Sequence, residues 1–406
     1  MSLVRPFPAR IVGQESAAQV VCPMHDALTP DDRSRLLATN PLSYLHVTQS
    51  PLDLPGASSD ELGAANAAGL ERLLAAGTYS PLAPPAMYVY RLHLGQEEHT
   101  GIVAELDAAA FTDGRVLGHE AVQAERVEGL VRHFAAVPTR SELVTVMHRS
   151  DAAVNAVMAA TTDHDPVLTV TDVTGVEQVV WRLTDADAAV VSDRLAGVRH
   201  YIADGHHRVA ATVARWRDHG SPRGGAVLSV LYPDDQMHLL AFHRRVVGPV
   251  DGDRLRTDLS TEMEVEAVEG PRTRRGSFGM RLAGQWYALR PKEPGREPGV
   301  AGLDVSVLDD RVLRPLIGVA SGDERVRYVS ELADLDVAVA AADADGGVLF
   351  LLTGPGLDEV VAVAERGEVM PQKSTYIEPK PRAGVFLRPR QGPVDPRDLP
   401  PSPAVG

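Results

Sequence analysis

Hydrophobic residues in the middle of the chain follow two different spacings on either side of a short polar stretch. The largely apolar run at 198–203 predicts a strand, and it ends at Asp204-Gly205, a pair typical of tight turns. Directly after this pair, apolar residues recur on one helical face at Val209, Val213 and Trp216. The pattern therefore predicts a strand, a tight turn and a helix in immediate succession.

Other segments carry local signals of helices and strands. Thr29-Pro30 supplies a cap and a proline at the first helical position, and Ser58 with Glu61 supplies a capping box for a second helix. Further stretches predict strands: 44–47, 239–247, and a hairpin of 87–92 with 101–106. Since helices and strands are mixed along the chain and no repeat is present, we expect an α/β fold of the mixed α+β kind.

Proline- and glycine-rich stretches divide the chain. We predict an N-terminal α/β region over 1–160, a core region with the turn over 161–250, and a C-terminal α/β region over 251–390. The proline-rich end at 391–406 is expected to be disordered.

Composition narrows the classes of function. The 406 residues carry a formal net charge of −15, which argues against a non-specific nucleic-acid binder or a protein of acidic membranes. Cys22 is the only cysteine, so no disulfide framework exists. No uninterrupted apolar run reaches the length of a membrane span. We expect a cytoplasmic protein without nucleic-acid or membrane partners, and the sequence makes no prediction of its oligomeric state.

The predicted turn concentrates groups that bind anions. The first backbone N–H groups of a helix lack helical partners and form its positive end. His206, His207 and Arg208 would add side-chain donors there, Gly205 would allow close approach, and Asp204 would lie at the rim as an acceptor. We interpret the turn as a phosphate site. A capped turn with surface histidines is the alternative.

Two further stretches suit phosphate chemistry. Gly118-His119-Glu120 is predicted to open a helix, where Glu120 would be either a partner of the helix dipole or a general base. A proline-stiffened loop that is not a Walker loop supplies possible phosphate donors or is a solvated polar loop. Its donors are Lys373, Ser374, Thr375 and Lys380. Arg245, on a predicted strand, is either a ligand contact or a surface charge.

The three motifs in this order resemble the bacterial family catalogued as domain of unknown function 1015. They are Asp204-Gly205-His206-His207-Arg208, His119-Glu120 and Met370-Pro371-Gln372-Lys373-Ser374-Thr375-Tyr376. The resemblance extends from Arg5-Pro6-Phe7 to about Leu387. The central motif is in turn similar to the ParB/sulfiredoxin superfamily, which holds nucleotide phosphates at such a turn. This resemblance implies a ParB/sulfiredoxin-like nucleotide-binding core inside a larger, multi-lobed chain.

That superfamily includes CTP-using partition proteins, ATP-using sulfiredoxins and serine kinases that use ADP. His206 stands where sulfiredoxins carry their cysteine, and no helix-turn-helix follows the motif, so the serine kinases are the remaining model. The resemblance implies phosphate binding by Gly205, His207 and Arg208, with Glu120 as the base. The family commonly has a threonine and an Asp-Arg pair after His-Glu, whereas this chain has Ala121-Val122 and Gly129-Leu130.

The leading hypothesis is a phosphotransferase or phosphohydrolase for a small hydroxylated metabolite such as serine or phosphoserine, using Mg²⁺ with ADP or ATP. Glu120, His206 and Asp204 would be catalytic, His119 and Arg245 would bind substrate, and Asp204 would hold the metal. A transition-metal hydrolase built on His119, Glu120, His206 and His207 is one alternative. A nucleotide-binding regulator without catalysis is the other, and the substitutions after Glu120 favour it.

Overall fold

The structure of the protein is a computed structural model that describes residues 2–24, 27–219, 225–293, 298–320 and 322–389. Helices and strands are mixed throughout these residues, which confirms the predicted mixed α/β class. No helix in this part of the chain is both long and apolar enough to cross a membrane. The predicted tail at 391–406 lies outside the described residues.

Helix boundaries follow the capping signals of the sequence. Thr29 Oγ1 accepts the Asp32 N–H at 3.1 Å, and Ser58 with Glu61 forms a complete capping box, so both helices predicted from caps are confirmed. The α-helices of the described residues are α1 (Gln14–Val20), α2 (Pro30–Thr39), α3 (Ser59–Ala75), α4 (Ala124–Ala136), α5 (Ala152–Thr162), α6 (Asp185–Ala196), α7 (His206–His219), α8 (Gly252–Glu262), α9 (Asp304–Leu308), α10 (Leu335–Asp345) and α11 (Leu357–Glu365). A π-helix over Asp309–Ile317 follows α9.

The strands are short, as expected for segments separated by glycine and proline. Those of the described residues are β1 (Val4–Arg5), β2 (Arg10–Ile11), β3 (Tyr88–Leu94), β4 (Glu97–Asp107), β5 (Val116–Leu117), β6 (Thr139–Arg140), β7 (Val144–His148), β8 (Leu168–Thr171), β9 (Glu177–Arg182), β10 (His200–Asp204), β11 (Ala226–Pro233), β12 (His238–Leu240), β13 (Phe242–Val246), β14 (Met263–Val268), β15 (Phe278–Leu282), β16 (Gln285–Pro291), β17 (Val326–Ser330), β18 (Val348–Leu351), β19 (Tyr376–Glu378) and β20 (Phe386–Pro389). The predicted hairpin is confirmed as β3 and β4.

The chain forms two compact units, and the first comprises Met1–Leu117, Val122–Met237 and Pro379–Gly406. Among its described residues, the main sheet has the order β5-β10-β7-β11-β4-β3-β9-β8, with β1 paired to β4. The strand β10 lies inside this sheet, parallel to β5 and antiparallel to β7. A smaller sheet joins β2, β20 and β6. The start of β10 is therefore paired on both sides, and the residues that lead into the turn, Ile202 to Asp204, are held by β7.

The core of the first unit fixes the helix that follows this turn. Val209 of α7 belongs to the same buried cluster as Val146 and Ile202 of the main sheet, together with Val154 of α5 and Val191 of α6. Each fully buried aliphatic side chain contributes about 1.5–3 kcal/mol of hydrophobic free energy. This packing sets the position of α7 and of the turn in front of it.

The second unit comprises Gly118–Ala121 and His238–Glu378. Its described strands form an antiparallel sheet with the order β14-β16-β15-β18-β13-β17, and β12 pairs separately with β19. One buried cluster contains Phe278 and Phe350 of the sheet with Leu255 of α8. A second cluster joins Ala342 of α10 to Leu349 of β18. The strand β13 is therefore a central element of this unit.

The structure differs from the predicted division at 160. Strands from 161–250 pair with strands from 1–160 in one sheet, as β9 does with β3 and β11 with β4. Residues 379–389 also return to the first unit, where β20 pairs with β2. Composition could not show these pairings, because the partners lie far apart in sequence.

Two predicted strands are also corrected. Residues Tyr44–Val47 form a 3₁₀ helix, because Ser43 Oγ caps it by accepting the Leu45 N–H at 3.3 Å. The predicted strand at 239–247 is broken into β12 and β13 at Ala241, whose N–H donates to the Glu331 carboxylate at 2.6 Å instead of to a neighbouring strand.

Candidate functional site

The predicted strand, turn and helix are confirmed, and Gly205 makes the turn possible. The strand β10 ends at Asp204, Gly205 has a φ of 100°, and α7 begins at His206. A side chain at Gly205 would be strained at this φ, and its Cβ would lie 2.9 Å from the Arg208 Nη2 atom. Glycine therefore lets the Arg208 guanidinium fold back over the turn.

The Arg208 guanidinium is fixed by three contacts within the first unit. Its Nη2 donates to Asp204 Oδ2 at 2.5 Å, and its Nη1 donates to the Leu143 carbonyl at 2.9 Å. The Met24 sulfur lies 3.7 Å from Nη1. Only 13% of the Arg208 side chain is exposed, so little rotamer freedom remains to be lost when a ligand binds.

Lys380 approaches the same carboxylate from the other side. Its Nζ lies 3.9 Å from Asp204 Oδ1, and 15% of its side chain is exposed. Asp204 thus faces Arg208 through one oxygen and Lys380 through the other. Two cations against one carboxylate, at the positive end of a helix, leave an excess of positive charge that suits an anion.

The two histidines of the turn have different surroundings. His206 is buried, with 4% of its surface exposed. The Nε2 of His207 accepts the backbone N–H of Gln123 at 3.0 Å, which requires an unprotonated Nε2. His207 therefore uses one ring nitrogen to hold the backbone of Gln123, the residue at the N-cap position of α4.

In the second unit, His119 and Glu120 do not open a helix. The helix α4 begins at Ala124, and 118–123 is irregular, so the predicted helix start at Gly118 is wrong. The His119 carbonyl accepts the N–H of Met370 at 2.8 Å, which uses this carbonyl outside any helix. His119 is buried at 3% exposure, whereas Glu120 is exposed.

The 370–375 loop is a tight turn with an internal hydrogen bond. Ser374 Oγ donates to the Pro371 carbonyl at 2.6 Å, so this hydroxyl serves the loop itself. Lys373 has a φ of 53°, in the left-handed region, and its Nζ lies 5.2 Å from the centre of the Phe242 ring. Thr375 is half-buried beside it. Lys373 itself is exposed, which keeps its ammonium within reach of a ligand.

A buried arginine that sequence reasoning left without a role holds this loop. Arg244 is fully buried, and its guanidinium donates to the carbonyls of Lys373 at 3.0 Å and Gln372 at 3.2 Å. It also stacks on Tyr328, 4.6 Å from the ring centre. Burial lowers the pKa of Arg244 and raises the pKa of Asp309, and their opposite charges counter both shifts.

The neighbouring arginine has a different use from the one predicted for it. Arg245 donates to the carboxylate of Asp345 and to the Ala341 carbonyl at 2.8 Å, near the end of α10. Alternation along β13 correctly separates Arg244 from Arg245, but it does not tell which face is buried. No sequence signal within the segment marks Arg244, because its neighbours in sequence are His243 and Arg245 and its partners lie far along the chain.

The predicted site residues thus fall into two sets. The first unit brings Asp204, Gly205, Arg208 and Lys380 together, with His206 and His207 following in the same turn. The second unit contains His119, Glu120, Arg245, Lys373, Ser374 and Thr375. Within it, His119 contacts the first residue of the 370–375 loop, while Arg245 is bound elsewhere.

Comparison with known proteins identifies the family. A family model described as "Protein of unknown function (DUF1015)" matches residues 4–306, so the chain belongs to this family, as predicted. No curated protein matches the sequence.

Similar solved structures include a free serine kinase in complex with AMP, at 13% identity and a TM-score of 0.37, over 70% of this chain and 91% of that chain. SbnI with a C-terminal truncation, from Staphylococcus aureus, is similar at 13% identity and a TM-score of 0.39, over 71% of this chain and 87% of that chain.

Proposed function

We propose that this DUF1015 protein binds the phosphates of a nucleotide at the 204–208 turn and moves a phosphoryl group to or from a small hydroxylated metabolite. It would act as a phosphotransferase on a serine-like hydroxyl, or as a phosphohydrolase on a phosphoserine-like ester. The observation that carries the proposal is the Asp204 carboxylate, which lies between the Arg208 and Lys380 cations at the first turn of α7.

A phosphate suits this arrangement better than the carboxylate already there. Arginine binds phosphate through two parallel hydrogen bonds, and the first N–H groups of α7 add donors that a side-chain carboxylate of β10 does not need. A phosphate bearing two negative charges would therefore displace Asp204 from Arg208 and Lys380. Phosphoryl transfer asks a protein mainly for such positioning and neutralisation of charge.

Mg²⁺ fits the turn only together with a nucleotide. It commonly binds one or two carboxylates plus substrate phosphates, and Asp204 offers one carboxylate, whose oxygens both face cations in the structure. Asp204 would hold the ion once phosphate occupied the cations. Bound there, Mg²⁺ would neutralise charge on the phosphate oxygens.

The remaining roles come from the family resemblance. Glu120 would accept the proton of the substrate hydroxyl, His206 and His207 would support the phosphate, and His119 would help to bind substrate. Lys373 would add a second ammonium and Thr375 a hydroxyl. Ser374 Oγ donates within its own loop and Arg245 binds Asp345, so both would have to leave these partners to bind a ligand.

Phosphorus NMR of the purified protein with Mg²⁺ tests the function. ADP or ATP is offered with L-serine, and O-phosphoserine is offered separately. We expect a new phosphomonoester or the loss of phosphoserine, and Glu120→Gln should abolish turnover while leaving nucleotide affinity unchanged. Full turnover by this variant would remove Glu120 from the mechanism. Tight nucleotide binding without turnover would instead support the regulator.

Binding measurements test the turn itself. Arg208→Gln should weaken nucleotide binding about 100-fold, because it removes a desolvated charge-assisted contact. Arg215→Gln removes the same charge from the same helix two turns later and is the matched control. If Asp204 occupies the anion position, Asp204→Asn should tighten the binding of metal-free pyrophosphate. Equal losses in both arginine variants, or weaker pyrophosphate binding by Asp204→Asn, would contradict the assignment.

A further inference from the structure

A buried ion pair in the first unit lies next to Lys380. Arg382 and Asp172 are 8% and 5% exposed, and the Arg382 Nε donates to Asp172 Oδ2. The other oxygen of Asp172 accepts the N–H of Thr174 at 2.8 Å and that of Val176 at 3.2 Å. Asp172 is therefore anchored in the turn between β8 and β9, and it supplies a fixed carboxylate to Arg382.

Arg382 in turn binds the main chain of Lys380. Its Nη1 donates to the Lys380 carbonyl at 2.9 Å, and its backbone N–H donates to the Tyr90 hydroxyl at 3.1 Å. Its Nη2 lies 3.4 Å from Thr174 Oγ1. The Lys380 backbone is thus fixed two residues before an arginine that is itself held on several sides.

We infer that Arg382 and Asp172 are positioning residues that place the Lys380 ammonium beside Asp204, and the inference rests on the proposed phosphate site. A lysine side chain has several rotatable bonds and loses considerable entropy when it is held in one place. Fixing its main chain reduces the set of positions that Nζ can reach. Neither Arg382 nor Asp172 touches the Asp204 carboxylate, so both act through Lys380.

Lysine is rare in this chain, which makes Lys380 easy to follow. Lys292, Lys373 and Lys380 are its only lysines among 40 lysine and arginine residues. An amine-reactive reagent followed by peptide mass spectrometry therefore reports on three side chains. Lys292 lies in the second unit and contacts the Ser260 carbonyl, so it serves as the internal reference.

The first experiment is a double-mutant cycle on nucleotide affinity. Arg382→Gln and Lys380→Met should each weaken binding about tenfold, the effect of one charge-assisted hydrogen bond. In the Lys380→Met background, Arg382→Gln should have no further effect, since its target is gone. Arg388→Gln breaks another buried pair of the first unit, with Glu105, and should leave affinity unchanged. Additive losses, or an equal loss in Arg388→Gln, would overturn the inference while the phosphate site stands.

The second experiment needs no nucleotide and no drastic variant. Asp172→Asn keeps the acceptor for Thr174 and Val176 but removes the charge that faces Arg382. Labelling of Lys380 relative to Lys292 should become several-fold faster in Asp172→Asn and stay unchanged in Arg388→Gln. Unchanged labelling would overturn the positioning role, even if the protein bound no nucleotide and the proposed function failed. Faster labelling in a protein that binds no nucleotide would support the positioning role of Asp172 and contradict the proposed function.

Discussion

Arg208 and Arg244 are both withdrawn from solvent, yet they hold different partners. In the first unit, Arg208 binds the Asp204 carboxylate at the end of β10 and one main-chain carbonyl, that of Leu143. Arg244 binds main-chain carbonyls of the 370–375 loop in the second unit, and its side chain is fully buried. Another anion can replace Asp204 as the partner of Arg208. The loop carbonyls, in contrast, depend on Arg244 as their hydrogen-bond donor.

The kind of partner that an arginine holds distinguishes a candidate ligand-binding arginine from a structural one. An arginine paired with a partly exposed carboxylate at a helix start can change partners, and 26% of the Asp204 side chain is exposed. An arginine that satisfies buried carbonyls cannot move without leaving them unpaired. We therefore expect Arg208 to affect binding and Arg244 to affect stability.

The same substitution at both positions gives the largest difference. Arg244→Met should lower the free energy of unfolding by about 3–5 kcal/mol, because it leaves buried carbonyls without a donor and removes the stronger of the two cations that act on Asp309. Arg208→Met should lower it by only about 1–2 kcal/mol, since Asp204 keeps Lys380 and only the Leu143 carbonyl loses its donor. Urea unfolding measures both values. Comparable losses in the two variants would break the distinction.

Acid should affect the first unit more than the second. His148 and His200 of the first unit are fully buried, with ring centres 5.9 Å apart. Burial, and then the neighbouring His148, lowers the pKa of His200 from 6.5 to about 3, and burial also lowers the pKa of His148. Between these values the unfolded chain binds more protons than the folded one, so stability is lost as the pH falls from 6.5 towards 3.

At about pH 5 the loss from His200 alone is about 2 kcal/mol relative to neutral pH. Urea unfolding followed by Trp181 in the first unit and by Trp286 in the second measures the two responses in single-tryptophan variants. Burial also lowers the pKa of His243, so the second unit should respond, but with one such histidine. His200→Gln should reduce the acid response at Trp181. A stronger response at Trp286 would contradict the prediction.

The smallest effect concerns the backbone of the loop that Arg244 holds. Lys373 adopts a φ of 53°, which glycine adopts without strain, so Lys373→Gly should raise the unfolding free energy by up to about 1 kcal/mol. Lys373→Ala loses the same ammonium but keeps the strain, and it is the control. If both variants weaken nucleotide binding, Lys373 is also a ligand contact. The 370–375 loop would then bind ligand as the 204–208 turn is proposed to do. A destabilised Lys373→Gly would show that glycine's added freedom in the unfolded chain outweighs the strain.

The parts of the fold set by local chemistry were predictable. The capping residues of α2 and α3 and the Asp204-Gly205 turn act through neighbours a few residues away, and the structure has these elements where they were predicted. The 3₁₀ helix at Tyr44–Val47 was not predicted, because Tyr44, Leu45 and Val47 fit a short strand equally well.

The partners of the site were less predictable than its members. The 204–208 motif predicted the turn between β10 and α7, but nothing near Arg382 in sequence indicates Asp172, 210 residues earlier. Likewise, the sequence indicated no role for Arg244, whose side chain is buried in a central strand and donates to the carbonyls of a distant loop. Contacts between distant segments decide these cases, and residue pattern within one segment does not contain them.

The return of the chain to the first unit has a consequence for its synthesis. A growing chain that has reached Met237 already contains the 204–208 turn, but not Lys380 or Arg382. The ribosome must still produce His238–Glu378, most of the second unit, before the second cation of the turn exists. The nascent protein would therefore gain both cations of the proposed anion site only after Lys380 has been synthesised. Until then, β2 also lacks the strand β20 that pairs with it in the finished protein.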